Sequence, residues 1–279
     1  MSLRAQREFS NARTPSPLIG RQTRGRAQVS DLVIGIDFGT TYTGVAYAHS
    51  LSGITDNLTN RPQTQSELSE ITEKVFVVKQ WPGVEQFFEK TPTMLTYKQG
   101  KVTWGGRAKA LDDGIKIQYF KLGLQEGARE HYRSNTANES STSLLGGFLD
   151  NHNWRHPDLA NRSAVDYVED FLRELKEHVL KEELPRRMPR EFLQNEHISY
   201  AITVPAIWND KARDLTKQAA KRAGIPEDGL VIISEPEAAA LYCAITCGGI
   251  SFKPGDRFVV CDAGGGTVVN STPSSMLMW

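Results

Sequence analysis

Residues 31–48 decide the fold, and they read Asp31-Leu-Val-Ile-Gly-Ile-Asp-Phe-Gly-Thr-Thr-Tyr-Thr-Gly-Val-Ala-Tyr-Ala48. Leu32 to Ile36 is a short apolar run rich in β-branched residues, as is typical of a buried strand, and Val45 to Ala48 is a second such run. The chain has to reverse between the two runs, and Gly39 and Gly44 allow the backbone conformations that a tight reversal needs. The pattern therefore predicts a β-hairpin.

The turn of this hairpin carries groups that suit a bound phosphate. Gly39 lets main-chain N–H groups approach a ligand closely, and Thr40 and Thr41 add hydroxyl donors beside them. Successive N–H groups and hydroxyls form a concave anion site. Asp37, at the end of the strand, would repel a bare phosphate but would suit a hydrated Mg²⁺, which prefers one or two carboxylates and keeps several waters.

A near-copy of this design occurs far along the chain, at Arg257-Phe-Val-Val-Cys-Asp-Ala-Gly-Gly-Gly-Thr267. One such stretch is also explained by an ordinary glycine turn beside a buried strand, whereas two suggest a duplicated module that holds one nucleotide from both sides. Neither stretch has the Gly-x-x-x-x-Gly-Lys-[Ser/Thr] pattern of a Walker loop. A dinucleotide-binding fingerprint that uses Gly264 and Gly266 would need a third glycine where the chain has Val269.

The chain resembles the actin-like ATPase superfamily and, within it, the heat-shock chaperones of the seventy-kilodalton type. Four stretches carry the resemblance in the family's order and spacing, over roughly residues 31–267: Ile34-Gly-Ile-Asp-Phe-Gly-Thr-Thr-Tyr42, Ala201-Ile-Thr-Val-Pro-Ala-Ile-Trp-Asn-Asp210, Ile232-Ile-Ser-Glu-Pro-Glu-Ala-Ala-Ala-Leu-Tyr242 and Cys261-Asp-Ala-Gly-Gly-Gly-Thr267. The Val-Pro-Ala-Ile-Trp and Asp-Ala-Gly-Gly-Gly-Thr variants are similar to a divergent, fungal-like branch. The resemblance implies an α/β fold of ribonuclease-H-like actin topology that binds ATP or ADP with Mg²⁺.

The resemblance also implies where the nucleotide and the metal are held. The first turn would hold the β- and γ-phosphates through Gly39, Thr40, Thr41 and Tyr42. The second glycine stretch would close over them with Gly264, Gly265, Gly266 and Thr267. Asp37 and Asp262 would hold the hydrated Mg²⁺, and Asp262 would also serve catalysis.

A lysine and a glutamate complete the implied catalytic set. The family's catalytic lysine corresponds to Lys121 in Tyr-Phe-Lys, although Lys116 and Lys109 are competitors and a solvated surface lysine is the plain alternative. Glu235 follows a predicted strand and opens a helix with Pro236 in its first turn, so it complements the helix dipole. The resemblance adds a second role for Glu235, in which it orients the attacking or Mg²⁺-bound water together with Lys121.

The chain divides into three parts. Residues 1–30 hold six arginines and one acidic residue, and we expect a disordered Arg/Ser-rich tail rather than a transit peptide, because apolar residues are sparse there. Residues 31–250 form the first ATPase lobe, with a flanking subdomain inserted at about 55–160. Residues 251–279 begin the second lobe. Pro273 and the Ser/Thr residues around it argue against a returning strand after Thr267, so we expect that lobe to be truncated and its ATPase activity impaired.

Local signals place the elements around these motifs. We expect strands at 75–78 and 198–204, and a hairpin from 93–97 and 101–104. Ser163 with Asp166 predicts a capped helix whose apolar face packs on the sheet, and Asn209 predicts the start of a helix that runs to Gly224.

Composition limits the partners and the compartment. Lys plus Arg and Asp plus Glu both number 33, so we expect no attraction to nucleic acid or to a membrane surface, and no apolar run reaches the roughly 18 residues that span a bilayer. Three cysteines without zinc or disulfide spacing fit a reduced, cytoplasmic compartment.

The expected partners are nucleotide and client or co-chaperone proteins. Alternatives are a non-catalytic interaction protein or inactive remnant, and a sugar or glycerol kinase, against which the Ser234-Glu-Pro-Glu-Ala-Ala-Ala240 stretch argues.

Overall fold

The computed structural model describes residues 32–49, 75–125, 157–188, 197–246, 260–263 and 268–271. The strands are β1 Leu32–Phe38, β2 Tyr42–His49, β3 Val75–Val77, β4 Lys90–Pro92, β5 Met94–Lys98, β6 Lys101–Trp104, β7 Ile115–Gln118, β8 Ile198–Val204, β9 Leu230–Ser234, β10 Val260–Ala263 and β11 Val268–Ser271. The α-helices are α1 Gly105–Ala110, α2 Ala164–His178, α3 Asp210–Arg222 and α4 Glu235–Thr246.

The predicted hairpin lies at the centre of the main sheet, whose order is β3-β2-β1-β8-β9, with β4 also pairing with β2. β1 and β2 are antiparallel, whereas β1, β8 and β9 run parallel to one another. Alternate residues of β1 are buried, as a strand with one face on the core requires. Because the carboxyl ends of parallel strands meet at one edge, the residues that follow β1, β8 and β9 are brought together there.

Two helices cover the core face of this sheet, and both begin as the sequence predicts. Ser163 and Asp166 form a complete capping box at the start of α2. The side chain of Asn209 accepts a hydrogen bond from the Ala212 N–H, 2.9 Å away, at the start of α3. Small buried side chains on α3 allow it to pack closely on α2, and they include Thr216 and Ala220, which the sequence pattern did not single out.

A second sheet, of order β6-β5-β7, forms the flanking unit. The hairpin of β5 and β6 is confirmed, whereas α1, β4 and β7 were not predicted from the sequence. Aromatic side chains join this unit to α2: Phe120 and Trp104 both lie against Phe171, with ring centroids 5.8 and 5.9 Å apart. The flanking unit is therefore held on the same core as the main sheet.

The predicted lack of a returning strand after Thr267 is wrong. β11 runs antiparallel to β10, and Asp262 pairs with Val269. Pro273 follows the last paired residue, Ser271, in the sequence. The N–H that proline lacks is therefore not needed for a hydrogen bond between β10 and β11.

The predicted tail at 1–30 falls outside the described residues. Within the described ranges, every helix is too short or too polar to cross a membrane.

Candidate functional site

Asp37 lies at the edge of the sheet where the parallel strands end. Its Oδ1 accepts a hydrogen bond from the Thr203 hydroxyl on β8, 3.0 Å away, and its Oδ2 accepts one from the Lys90 ammonium, 2.7 Å away. The Asp37 side chain is 45% exposed, so the carboxylate can be reached from solvent. The structure thus places the predicted metal-binding carboxylate at an open strand end.

The turn after Asp37 is held in one shape by threonines beneath it. Thr93 donates its hydroxyl to the Gly39 carbonyl at 2.9 Å and its N–H to the Thr41 carbonyl at 2.8 Å. The buried hydroxyls of Thr93 and Thr43 are 2.8 Å apart and hydrogen-bonded. A Cβ on Gly39 would collide with the carbonyl oxygen of Tyr42, so this turn requires glycine for close approach.

Lys121 is buried in the same site, with only 1% of its surface exposed. Its ammonium donates to Glu235 Oε1 at 2.8 Å and to the carbonyl oxygen of Phe38. The ring centroids of Phe38 and Trp208 both lie 5.4 Å from Nζ, within range of a cation–π interaction. The desolvated ammonium is therefore compensated by a carboxylate, a carbonyl and two ring faces.

The competing lysines lie elsewhere. The Lys116 ammonium donates to the Lys109 carbonyl at 3.3 Å on the exposed surface of the flanking sheet. Of the three candidates, Lys121 is the one whose ammonium meets Glu235.

The backbone before Lys121 adopts an unusual conformation. Tyr119 has φ 58° and ψ 16°, the left-handed region that a residue with a side chain seldom occupies. It precedes the 3₁₀ turn Phe120–Leu124, which turns Lys121 inward. Burial, followed by the nearby Tyr42 hydroxyl, raises the pKa of Tyr119.

Glu235 owes its position to a cap at the start of α4. Ser234 ends β9, and its N–H donates to Glu237 Oε2 at 2.9 Å. A hydrogen bond from the Ser234 hydroxyl lowers the pKa of Glu237. Glu237 thus bonds Ser234 at the start of the helix, whereas Glu235 pairs with Lys121. The junction between β9 and α4 therefore determines where the Lys121–Glu235 pair lies.

Of the predicted site residues, the structure brings Asp37, the turn from Gly39 to Tyr42, Lys121 and Glu235 to one edge of the main sheet. The side chain of Asp262 and all of 264–267 lie outside what the structure describes. Four neighbours were not predicted from the sequence: Lys90, Thr93, Thr203 and Trp208. Thr203 and Trp208 lie inside the stretch Ala201–Asp210, which carries the family resemblance, and this membership could have marked them as candidates for the site.

The donor set fits a nucleotide and a hydrated cation. The described residues contain no group of three His, Cys, Asp or Glu side chains able to enclose a metal ion. Asp37 presents an exposed carboxylate at this edge, and a hydrated Mg²⁺ is a cation that prefers only one or two carboxylates. The turn beside Asp37 is tight enough to require Gly39, and successive main-chain N–H groups in such a turn are the donors that suit a phosphate.

Heat-shock proteins are similar to this chain over most of its length. The sequence model of the family described as "Hsp70 protein" matches residues 179–272. Heat shock 70 kDa protein 12A of Homo sapiens is 31% identical over 229 residues, which is 76% of this chain and 28% of the human protein. Heat shock 70 kDa protein 12B of Homo sapiens is 27% identical over 250 residues, which is 82% of this chain and 30% of that protein. The chain thus matches less than a third of the length of these relatives.

The α/β fold and these matches place the chain in the actin-like ATPase class. Within that class the chain belongs to the Hsp70 family, as a divergent member.

Proposed function

We propose that this chain binds ATP and ADP with Mg²⁺ and hydrolyses ATP, at the impaired rate expected from its sequence. The observation that carries the proposal is the buried pair of Lys121 and Glu235, which lies beside the Gly39 turn and Asp37 at the edge where the parallel strands end. Phosphoryl transfer needs positioning and charge neutralisation more than covalent chemistry. A desolvated ammonium and a carboxylate held by rigid elements supply both.

Each residue has a role in the proposal. The N–H groups and hydroxyls of Gly39 to Tyr42 bind the β- and γ-phosphates, and the family resemblance assigns 264–267 a phosphate-binding role as well. Asp37 and Asp262 would hold the cation, and Mg²⁺ would supply neutralisation of the charge that develops on the phosphate oxygens. Lys121 donates to the γ-phosphate or to the attacking water, and Glu235 orients that water.

Client or co-chaperone proteins and a cytoplasmic location form part of the same proposal. The Hsp70-type family and the balanced net charge support them. Fractionation of cells that express a tagged chain checks the location, and a membrane or organelle fraction would contradict it.

The test compares Lys121→Ala with Lys116→Ala in the same chain. We expect Lys121→Ala to lower the turnover number by at least about tenfold with ATP affinity nearly unchanged, because the ammonium acts on groups that react rather than on the adenosine. Lys116→Ala is the matched control, since its ammonium lies on the exposed surface of the flanking sheet, and we expect turnover as in the wild type.

Two results would contradict the proposal. Loss of ATP binding with unchanged turnover in Lys121→Ala would give that lysine a different role. No measurable binding of ATP or ADP by the wild type would instead favour an interaction protein that does not use nucleotide.

A further inference from the structure

Three residues form one row across three neighbouring strands. Asp37 on β1 pairs with Gly44 on β2, and Gly44 in turn pairs with Lys90 on β4. The Lys90 ammonium crosses this row and donates to Asp37 Oδ2 at 2.7 Å. Lys90 was not among the candidates from the sequence, because β4 lies far from β1 along the chain.

Gly44 makes the crossing possible. Neighbouring strands lie about 4.8 Å apart, so a side chain that spans two strand spacings has to be long and has to pass over the strand between. A Cβ on Gly44 would lie 3.3 Å from Lys90 Cγ and 3.7 Å from its Cε, which shows that the lysine stem lies along the glycine. The row therefore combines a long cation, a residue without a side chain and a carboxylate.

We propose that Lys90 competes with the divalent cation for Asp37 and thereby sets how strongly nucleotide binding depends on that cation. This inference rests on the proposed function. Oδ2 of Asp37 is occupied by Lys90, while Oδ1 accepts from Thr203, so a hydrated cation that uses Oδ2 has to displace the ammonium.

A divalent cation can replace Lys90 at Asp37 easily, because the side chains of Lys90 and Asp37 are both half exposed. The side chains of Lys90 and Asp37 are 53% and 45% exposed. Such a pair is screened by solvent and contributes little stability, so a divalent ion can replace it. While Lys90 stays on Asp37, its charge also offsets the repulsion between the carboxylate and a phosphate at the turn, which allows nucleotide to bind without the metal.

The experiment measures ADP affinity by calorimetry in EDTA and in a series of MgCl₂ concentrations, with the whole chain. The variants are Lys90→Met, Lys90→Gln and Lys90→Arg. Lys79→Met is the matched control, because Lys79 forms a similarly exposed pair with Glu89, 2.9 Å away. Two neutral variants are used so that the result does not depend on one of them folding well.

Mg²⁺ should increase the ADP affinity of both neutral variants with a half-maximal effect at an MgCl₂ concentration about two- to fivefold lower than in the wild type. This is the factor expected when an exposed competing ion pair is removed. Their ADP affinity in EDTA should fall relative to the wild type. Lys90→Arg and Lys79→Met should behave like the wild type. Unchanged Mg²⁺ half-points in the neutral variants would overturn the inference while leaving nucleotide binding intact. Failure of the wild type to bind ADP in either buffer would overturn the proposed function, and this inference with it.

Discussion

The buried pair of Lys121 and Glu235 should be strongly coupled in stability, and a double-mutant cycle can measure the coupling. Glu235→Gln removes the carboxylate that lies 2.8 Å from the Lys121 ammonium, which is 2% exposed, and leaves the Phe38 carbonyl and two ring faces beside it. Removing one partner of a buried pair costs about 3–5 kcal/mol in general. Because the carbonyl and the rings remain, we expect Glu235→Gln to lower the free energy of unfolding by about 2–4 kcal/mol.

Lys121→Met should cost less than Glu235→Gln. The Glu235 side chain is 16% exposed, so water can reach the carboxylate that is left behind. Its place at the start of α4 also favours negative charge, by about 0.3–1 kcal/mol. We therefore expect a loss of about 1–2 kcal/mol for Lys121→Met.

The double variant carries neither buried charge, so its loss should fall well short of the sum of the single losses. We expect a coupling free energy of about 2–3 kcal/mol between the two positions. Urea unfolding followed by circular dichroism provides each value, and equal m-values across the four proteins show that the midpoint shifts report stability. Losses that add to within about 0.5 kcal/mol would refute the reasoning.

Two further perturbations have definite expected outcomes. Burial lowers the pKa of His178 below its ordinary 6.5, so below about pH 6.5 the unfolded chain binds a proton that the folded chain does not. Stability should therefore decrease as pH falls through 6.5 toward the folded pKa, by up to about 1.4 kcal/mol per pH unit. Urea midpoints from pH 7.5 to 5 should show a weaker slope in His178→Gln than in the wild type; equal slopes in the two proteins would contradict this. Gly39→Ala should weaken ADP binding at least about tenfold in calorimetry, because its Cβ forces the turn open. Gly35→Ala, whose Cβ would lie at an ordinary 3.7 Å from the nearest atom, should bind as the wild type does, and an equal loss in both would point to damage of β1 as a whole.

Much of the fold could be predicted from local signals. The hairpin, the capping box at Ser163 and the Asn209 cap depend on short-range chemistry, and all three are confirmed. The lysine of the site was identified through its resemblance to a family motif, and the structure brings Lys121 to Glu235 although 113 residues separate them in the chain.

What could not be predicted depends on which strands become neighbours. Lys90 on β4 reaches Asp37 only because β4 pairs with β2, and a three-residue strand carries no signal for that pairing. The returning strand β11 was missed for the opposite reason. The sequence prediction gave Pro273 too much weight. Because the strand ends at Ser271, its pairing with β10 needs no N–H from residue 273.

The two lysines of the site should differ in function because they differ in exposure. Lys90 is half exposed and its bond to Asp37 is worth about 0–1 kcal/mol, so a cation can replace Lys90 at Asp37 at little cost. Lys121 is 2% exposed, and separating it from Glu235 would strand a charge in the core. Under the proposed function, exchange of cation and ammonium would be confined to Asp37, while the buried pair of Lys121 and Glu235 would keep its geometry. An edge with one replaceable and one fixed positive charge could then adjust to the ligand without moving the proposed catalytic groups.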